Sequence, residues 1–169
     1  MVLYKIWIAK KQSVLRKSKL MFHVLPTDCD FNLHMTNSRY YSFMDLGRIA
    51  LLGQTKLLPT LMKLRWGPVL VACELSFLRP LNPWQEFSLT TKLVYWDEYY
   101  FYFEQRFEKR GTLYAIGMAK GALLARGKKV LTKDFFDLAG ETPKQPAEPV
   151  TIKNWKLLTE AKKKLRVKP

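Results

Sequence analysis

The sequence predicts an α+β fold in which an antiparallel sheet of about five strands wraps one long helix, followed by a basic C-terminal helix. Two segments, EFSLTTKLVYW and YYFYFEQRFEK, alternate along their length and are joined by only Asp97 and Glu98. Strands that close, with so short a connection, must be antiparallel neighbours. A third observation places a helix against them. The strand LYAIGMAKGALLAR carries Ala115, Gly117, Ala119 and Gly121 on one face, and a row of small residues signals that another backbone lies very close.

The elements follow in order. From Lys19 a short apolar run reads as a strand closed by Pro26. The segment TDCDFNLHMTN is dense in turn and cap residues, and Thr36 or Asn37 is the expected N-cap of the long helix. Tyr40, Phe43, Met44, Gly47 and Ala50 or Leu51 recur at helical spacing, and Gly53 is expected to end the helix. QTKLLPTLMKLRW predicts a short second helical piece interrupted by Pro59. Four strands then occupy Pro68 to Arg126: VLVACELSFLRP, which ends at Pro80, the two alternating segments, and the small-residue strand entered through Gly111. The body available to lie on the small row is the long helix, whose own Gly47 permits close approach.

These elements suggest three parts: residues 1–140 as one domain with an N-terminal extension, 141–150 as a Pro-rich linker, and 151–169 as a basic amphipathic helix carrying Ile152, Trp155, Leu158, Ala161 and Leu165. The chain of 169 residues is long enough for a sizeable core. No apolar run approaches the roughly 20 residues that span a bilayer, and Lys5 interrupts the opening MVLYKIWIAKK, which does not read as a signal peptide. Two cysteines, Cys29 and Cys73, are too few for a disulfide framework and lack metal-ligand spacing, so no metal or cofactor is expected and a reducing, cytoplasmic setting is.

Charge narrows the partners less. Twenty-nine Lys and Arg stand against fourteen Asp and Glu, a net charge of +15. Such a field attracts nucleic acid, an anionic membrane face or a phosphate-bearing small molecule. Much of the excess lies in a basic tail from Lys153 to Lys168, which includes Arg166, and in a knot of Lys10, Lys11, Arg16, Lys17 and Lys19. A sheet that reads RNA shows a basic–Gly–aromatic run, whereas Arg110-Gly111 is followed by Thr112 and Leu113, so nucleic acid is not expected. Peripheral contact of the tail with an anionic surface stays open.

The segment TDCDFNLHMTNSRYYSFMDLGR resembles the signature of the 4-hydroxybenzoyl-CoA thioesterase-like hotdog family. Asp28, Asp30, His34, Asn37, Tyr40 and Arg48 match that signature in order and spacing, and the later strand pattern extends the resemblance over about Lys19 to Val130. Leu33 departs from it, standing where many members have glycine before the histidine. The resemblance implies a hotdog fold, an acyl-CoA substrate and a homodimer or homotetramer. It places the catalytic carboxylate on Asp30, as general base or nucleophile, with the backbone amide of about Asn37 as oxyanion donor.

An aspartate ionised at neutral pH suits either route, and the first-turn amides of a helix lack intrahelical acceptors. His34 and Tyr40 are expected to line the substrate site, and Arg79, Arg126 and Lys128, with Lys129, to meet CoA phosphates. The plainer alternatives are an Asx-turn for Asp30 and a surface pair for Asp45 and Arg48. A hotdog dehydratase is disfavoured because Asp30 and His34 lie one residue closer than those enzymes place their Asp and His. A non-catalytic binding paralogue remains an alternative.

Overall fold

The computed structural model describes residues 11–165, so the opening decapeptide, with Lys5 and Lys10, and the tail residues Arg166 and Lys168 lie outside the described residues. A six-stranded antiparallel sheet has the order β1-β3-β4-β5-β2, with a short β6 pairing β5. The strands are β1 (Ser18–His23), β2 (Trp66–Phe77), β3 (Glu86–Trp96), β4 (Phe101–Lys109), β5 (Thr112–Ala125) and β6 (Lys128–Lys129). The helices are α1 (Asn37–Gln54), α2 (Leu58–Leu64), α3 (Thr132–Ala139) and α4 (Val150–Lys164).

The alternating segments pair as their patterns require, with Leu89 opposite Phe107 and Leu93 opposite Phe103. The β4–β5 hairpin turns on Arg110 and Gly111, both at positive φ, as a tight two-residue turn demands. Helix α1 lies in the concave face, nearest β3 and β1. Tyr40, Phe43, Met44, Gly47, Ala50 and Leu51 face the sheet. The mixed α+β architecture is thus the expected one, a curled antiparallel sheet around one long helix.

Several local expectations are corrected. Gly53 does not stop α1; it is buried inside the helix, which runs to Gln54 and caps at Thr55. Pro59 does not interrupt α2 but occupies its first turn, where the missing N–H costs nothing. The small row of β5 takes a side chain instead of the helix backbone, since a Cβ on Gly117 would collide with the thioether end of Met44. Gly47 approaches a different place, where a Cβ would strike the Thr91 hydroxyl and the Gln105 amide. Helix α3 went unpredicted; it buries Phe135, Phe136 and Ala139 and ends on left-handed Gly140.

Helix α4 covers the outer face of the sheet. Ile152 and Trp155 are buried there, with Trp155 edge-on to Tyr102. Leu158 does not join them and stays 46% exposed. Among the described residues no helix is long and apolar enough to cross a membrane.

Candidate active site

The Asp28–Asn37 loop folds as a narrow hairpin that delivers the chain into α1. Cys29 and Met35 form an antiparallel bridge. Beyond it the Asp30 N–H donates to the His34 carbonyl (3.1 Å), and the Leu33 N–H donates to the Asp30 carbonyl (3.0 Å). Leu33 closes this turn at φ 57°. The left-handed geometry that favours glycine is therefore kept here by a leucine, a residue that is 67% exposed.

The two aspartates take different positions. Asp28 is buried, with Oδ2 accepting the Leu25 N–H (2.9 Å) and Oδ1 paired with Arg39 Nη2 at 2.6 Å. Its carbonyl accepts the Thr36 N–H (2.9 Å). Asp28 thus ties the loop to the first turn of α1. Asp30 is half-buried at the hairpin end, two residues or about 7 Å of extended chain away. Its Oδ1 accepts the Asn32 N–H at 2.9 Å, the Asx-turn of the plainer reading. Its Oδ2 accepts no hydrogen bond among the described residues.

Helix α1 begins without a side-chain cap. Thr36 occupies the N-cap position, but its hydroxyl meets Ser38 Oγ at 3.1 Å and no backbone amide. The Arg39 N–H closes back on the Thr36 carbonyl (3.0 Å). The amides of Asn37 and Ser38 are left as the open donors of the first turn, at the positive end of the helix dipole.

The remaining predicted site residues divide. His34 is exposed beside Asp30 in the hairpin. Tyr40 is in the core between Phe77 and Phe107, and burial pushes its hydroxyl up to about 12, so it stays protonated. Arg79 lies at the hairpin end of the sheet and donates to the Leu113 carbonyl (3.0 Å). Arg126 and Lys128 are exposed at the other end of β5, about 40 Å away along a fourteen-residue strand. One protomer therefore does not bring its three basic residues together. No group of three or more His, Cys, Asp or Glu among the described residues could hold a metal.

Asp45 and Arg48 are not the surface pair expected. Arg48 is only 14% exposed; it bridges Asp45 and donates through Nη1 to Gln105 Oε1 at 2.7 Å. Gln105, fully buried in the apolar row of β4, donates to the Met44 carbonyl and to Thr91 Oγ1, both at 2.9 Å. A lone amide between Phe103 and Phe107 was the available sign of this latch. Beside it lies an apolar cavity of about 360 Å³ between the second half of α1 and strands β2, β4 and β5, which the sequence did not disclose.

Residues 24–155 match the thioesterase-like superfamily. Protein THEM6 of Xenopus laevis is 32% identical over 129 residues, covering 75% of this chain and 62% of its own. A probable thioesterase of Saccharomyces cerevisiae is 31% identical over 139 residues, covering 80% of this chain and 60% of its own. The chain thus spans about three fifths of the length of these relatives. In structure it is similar to a 1,4-dihydroxy-2-naphthoyl-CoA thioesterase from Synechocystis, with TM-score 0.65 and 13% identity over 73% of this chain and 95% of that one.

Proposed function

The chain belongs to the thioesterase-like superfamily, and on that premise we propose that it hydrolyses an acyl-CoA thioester to the free acid and CoA, with Asp30 as the catalytic carboxylate. The observation that carries this reading is a half-engaged carboxylate in the hairpin that delivers the chain into an uncapped helix start. Asp28 is consumed in holding the loop, whereas Oδ2 of Asp30 is free of hydrogen bonds among the described residues. The Asn37 amide heads a first turn that no side chain caps.

In the general-base route, Asp30 takes a proton from water as the water oxygen attacks the thioester carbonyl. The carbonyl oxygen becomes an oxyanion and accepts the Asn37 N–H. Collapse breaks the C–S bond, and the proton passes to the departing thiolate of CoA. In the nucleophilic route the Asp30 carboxylate attacks the thioester carbonyl, the C–S bond breaks to release CoA thiolate, and water then cleaves the mixed anhydride to the free acid and the Asp30 carboxylate, its spare proton going to the thiolate. A preorganised backbone donor is typically worth about 2.7–4 kcal/mol to such a transition state.

We assign the working form to a homodimer joined along β2, or a homotetramer built from such dimers, with the site shared between subunits. Strand β2 is an edge strand that exposes Val69, Leu70, Val71 and Phe77, and such an edge invites pairing. It runs from the end carrying Arg126 to the end carrying Arg79. Two-fold antiparallel pairing would bring the Arg126 and Lys128 end of one protomer beside the Asp30 hairpin of the other. Arg79 and His34 of that hairpin end would then face those cations across a site for CoA phosphates, with Tyr40 supporting the site from the core. A cytoplasmic setting goes with two free cysteines, Cys29 and Cys73.

The test is thiol release from a panel of acyl-CoAs by wild type and Asp30→Asn. The variant should lose about 10²- to 10⁴-fold in turnover, the contribution of a positioned base, with an unchanged melting temperature. Equal turnover by the two proteins would overturn the assignment.

A further inference from the structure

The apolar cavity beside the Arg48–Gln105 latch has a size and lining that the proposed chemistry does not explain. Ile49 and Leu52 of α1 form one wall, Val69 and Leu70 of β2 another, and Phe103 and Leu123 the sheet floor. Its volume is about 360 Å³, within the range of small-molecule sites and far above the voids of a packed core. Two charged side chains, Asp45 and Arg48, reach it. They bridge each other, and Arg48 also serves Gln105, so both have partners already. Asp45 is 60% exposed and marks the open side.

We propose that this cavity takes the acyl chain of the substrate, and that the chain is an unbranched aliphatic one of medium length. The inference rests on the hydrolase reading and deepens it. A hydroxylated aromatic acyl group would bury its hydroxyls against Leu51, Phe101 and Leu123, the buried part of the lining, with no partner there, which such a site rejects. A polymethylene chain asks for no polar partner, and it is flexible enough to follow the gap between a helix and a curled sheet. A space of about 360 Å³ lies in the lower part of the range for small-molecule sites, which suits a chain of medium length better than a long one. Its β2 wall also puts the cavity beside the edge where a partner protomer would present Asp30.

The experiment varies the wall at Ile49, which is 46% exposed and so can change without emptying the core. Thiol release is measured on butanoyl-, octanoyl-, dodecanoyl-, palmitoyl- and 4-hydroxybenzoyl-CoA with wild type, Ile49→Trp and Ile49→Ala. Binding of a dansyl-labelled undecanoic acid to the same proteins is measured by fluorescence. Wild type should prefer dodecanoyl-CoA. Ile49→Trp should lose at least about tenfold on dodecanoyl- relative to butanoyl-CoA, the scale on which hydrophobic pockets discriminate, and should bind the probe correspondingly less. Ile49→Ala should shift preference toward palmitoyl-CoA.

A wild-type preference for 4-hydroxybenzoyl-CoA, or an unchanged length profile in both variants, would overturn the proposal while leaving hydrolysis in place. If no substrate releases thiol, the hydrolase reading fails, and the probe alone decides the cavity. Probe binding that Ile49→Trp weakens supports the chain site. Absence of binding to wild type means that the chain itself or a second copy fills the space, and the proposal falls.

Discussion

Asp28 and Asp30 have the same chemistry and sit two residues apart, yet their surroundings separate them. Asp28 is enclosed by the Leu25 amide and Arg39, so its loss would loosen the entry to α1. Asp30 shares one oxygen with its own turn and leaves the other open. The turn that presents it is held by Leu33 at φ 57°, a conformation that costs a non-glycine residue about 1–2 kcal/mol. Leu33→Gly should therefore stabilise the protein by about 0.5–1 kcal/mol, after the entropy glycine adds to the unfolded chain. Denaturant unfolding checks this, and a loss of stability would show that the exposed leucine side chain is covered by a second protomer. The carboxylate pair stood out in the sequence through its resemblance to a family signature, whereas the local turn residues by themselves read only as an Asx-turn. That one of the two is spent on structure was not legible there, because Arg39 and the Leu25 amide converge on Asp28 only through the fold.

At the scale of elements, α1 and α4 are held to the sheet by different means. Helix α1 is locked by shape and one buried amide. Gly47 lets its backbone reach Thr91, and Gln105 joins the Met44 carbonyl to the sheet. Helix α4 is held by Trp155 and Ile152 and by a charged cluster at their edge. The Asp97 carboxylate accepts the Tyr102 hydroxyl (2.8 Å) and the Tyr100 N–H (2.9 Å), and it pairs with Lys156 of α4 at 3.3 Å. Burial alone would raise the Asp97 carboxyl, but the hydrogen bonds from Tyr102, Tyr99 and Tyr100, with Lys156, outweigh it and hold it below the ordinary 3.8. Its contribution is therefore fully present above the ordinary value and is lost as pH falls through the depressed one. Asp97→Asn should remove that acid-side dependence and lower stability at neutral pH by about 1.5–3 kcal/mol, the range for hydrogen bonds to a charged group. Thermal melts of both proteins between pH 7 and the acid limb measure it. A variant that keeps the wild-type acid profile would assign the dependence to other carboxylates.

For the whole molecule, the informative surface is the free side of β2. Twelve residues of edge strand with exposed Val69, Leu70, Val71 and Phe77 are an aggregation hazard in a lone protomer. Pairing along this edge would relieve it and would align opposite ends of two sheets, where Asp30 and Arg126 lie. Val71→Lys places a charge at the register shift between Leu70 and Ala72, outside the cavity wall. If the proposed dimer forms along this edge, the variant should be a monomer in sedimentation where wild type is not, and should lower turnover at least as far as Asp30→Asn does, because the proposed site draws on both protomers. A monomeric variant with full turnover would show that each protomer works by itself.

What the sequence determined by itself is whatever rests on neighbours in the chain: the alternating strands, the hairpin at Gly111, the periodicity of α1, the turn-rich loop carrying Asp30. Periodicity and turn chemistry act over a few residues, so a linear reading recovers them. Tertiary structure alone decided which side of α1 meets which strand, that Gly117 receives Met44, that Arg48 turns inward to Gln105, and that a cavity opens beside them. It also separated Arg79 from Arg126 by the length of β5. These outcomes depend on residues dozens of positions apart and on how a curled sheet closes over a helix. Packing is a property of the assembled volume, and no pattern along the chain records it.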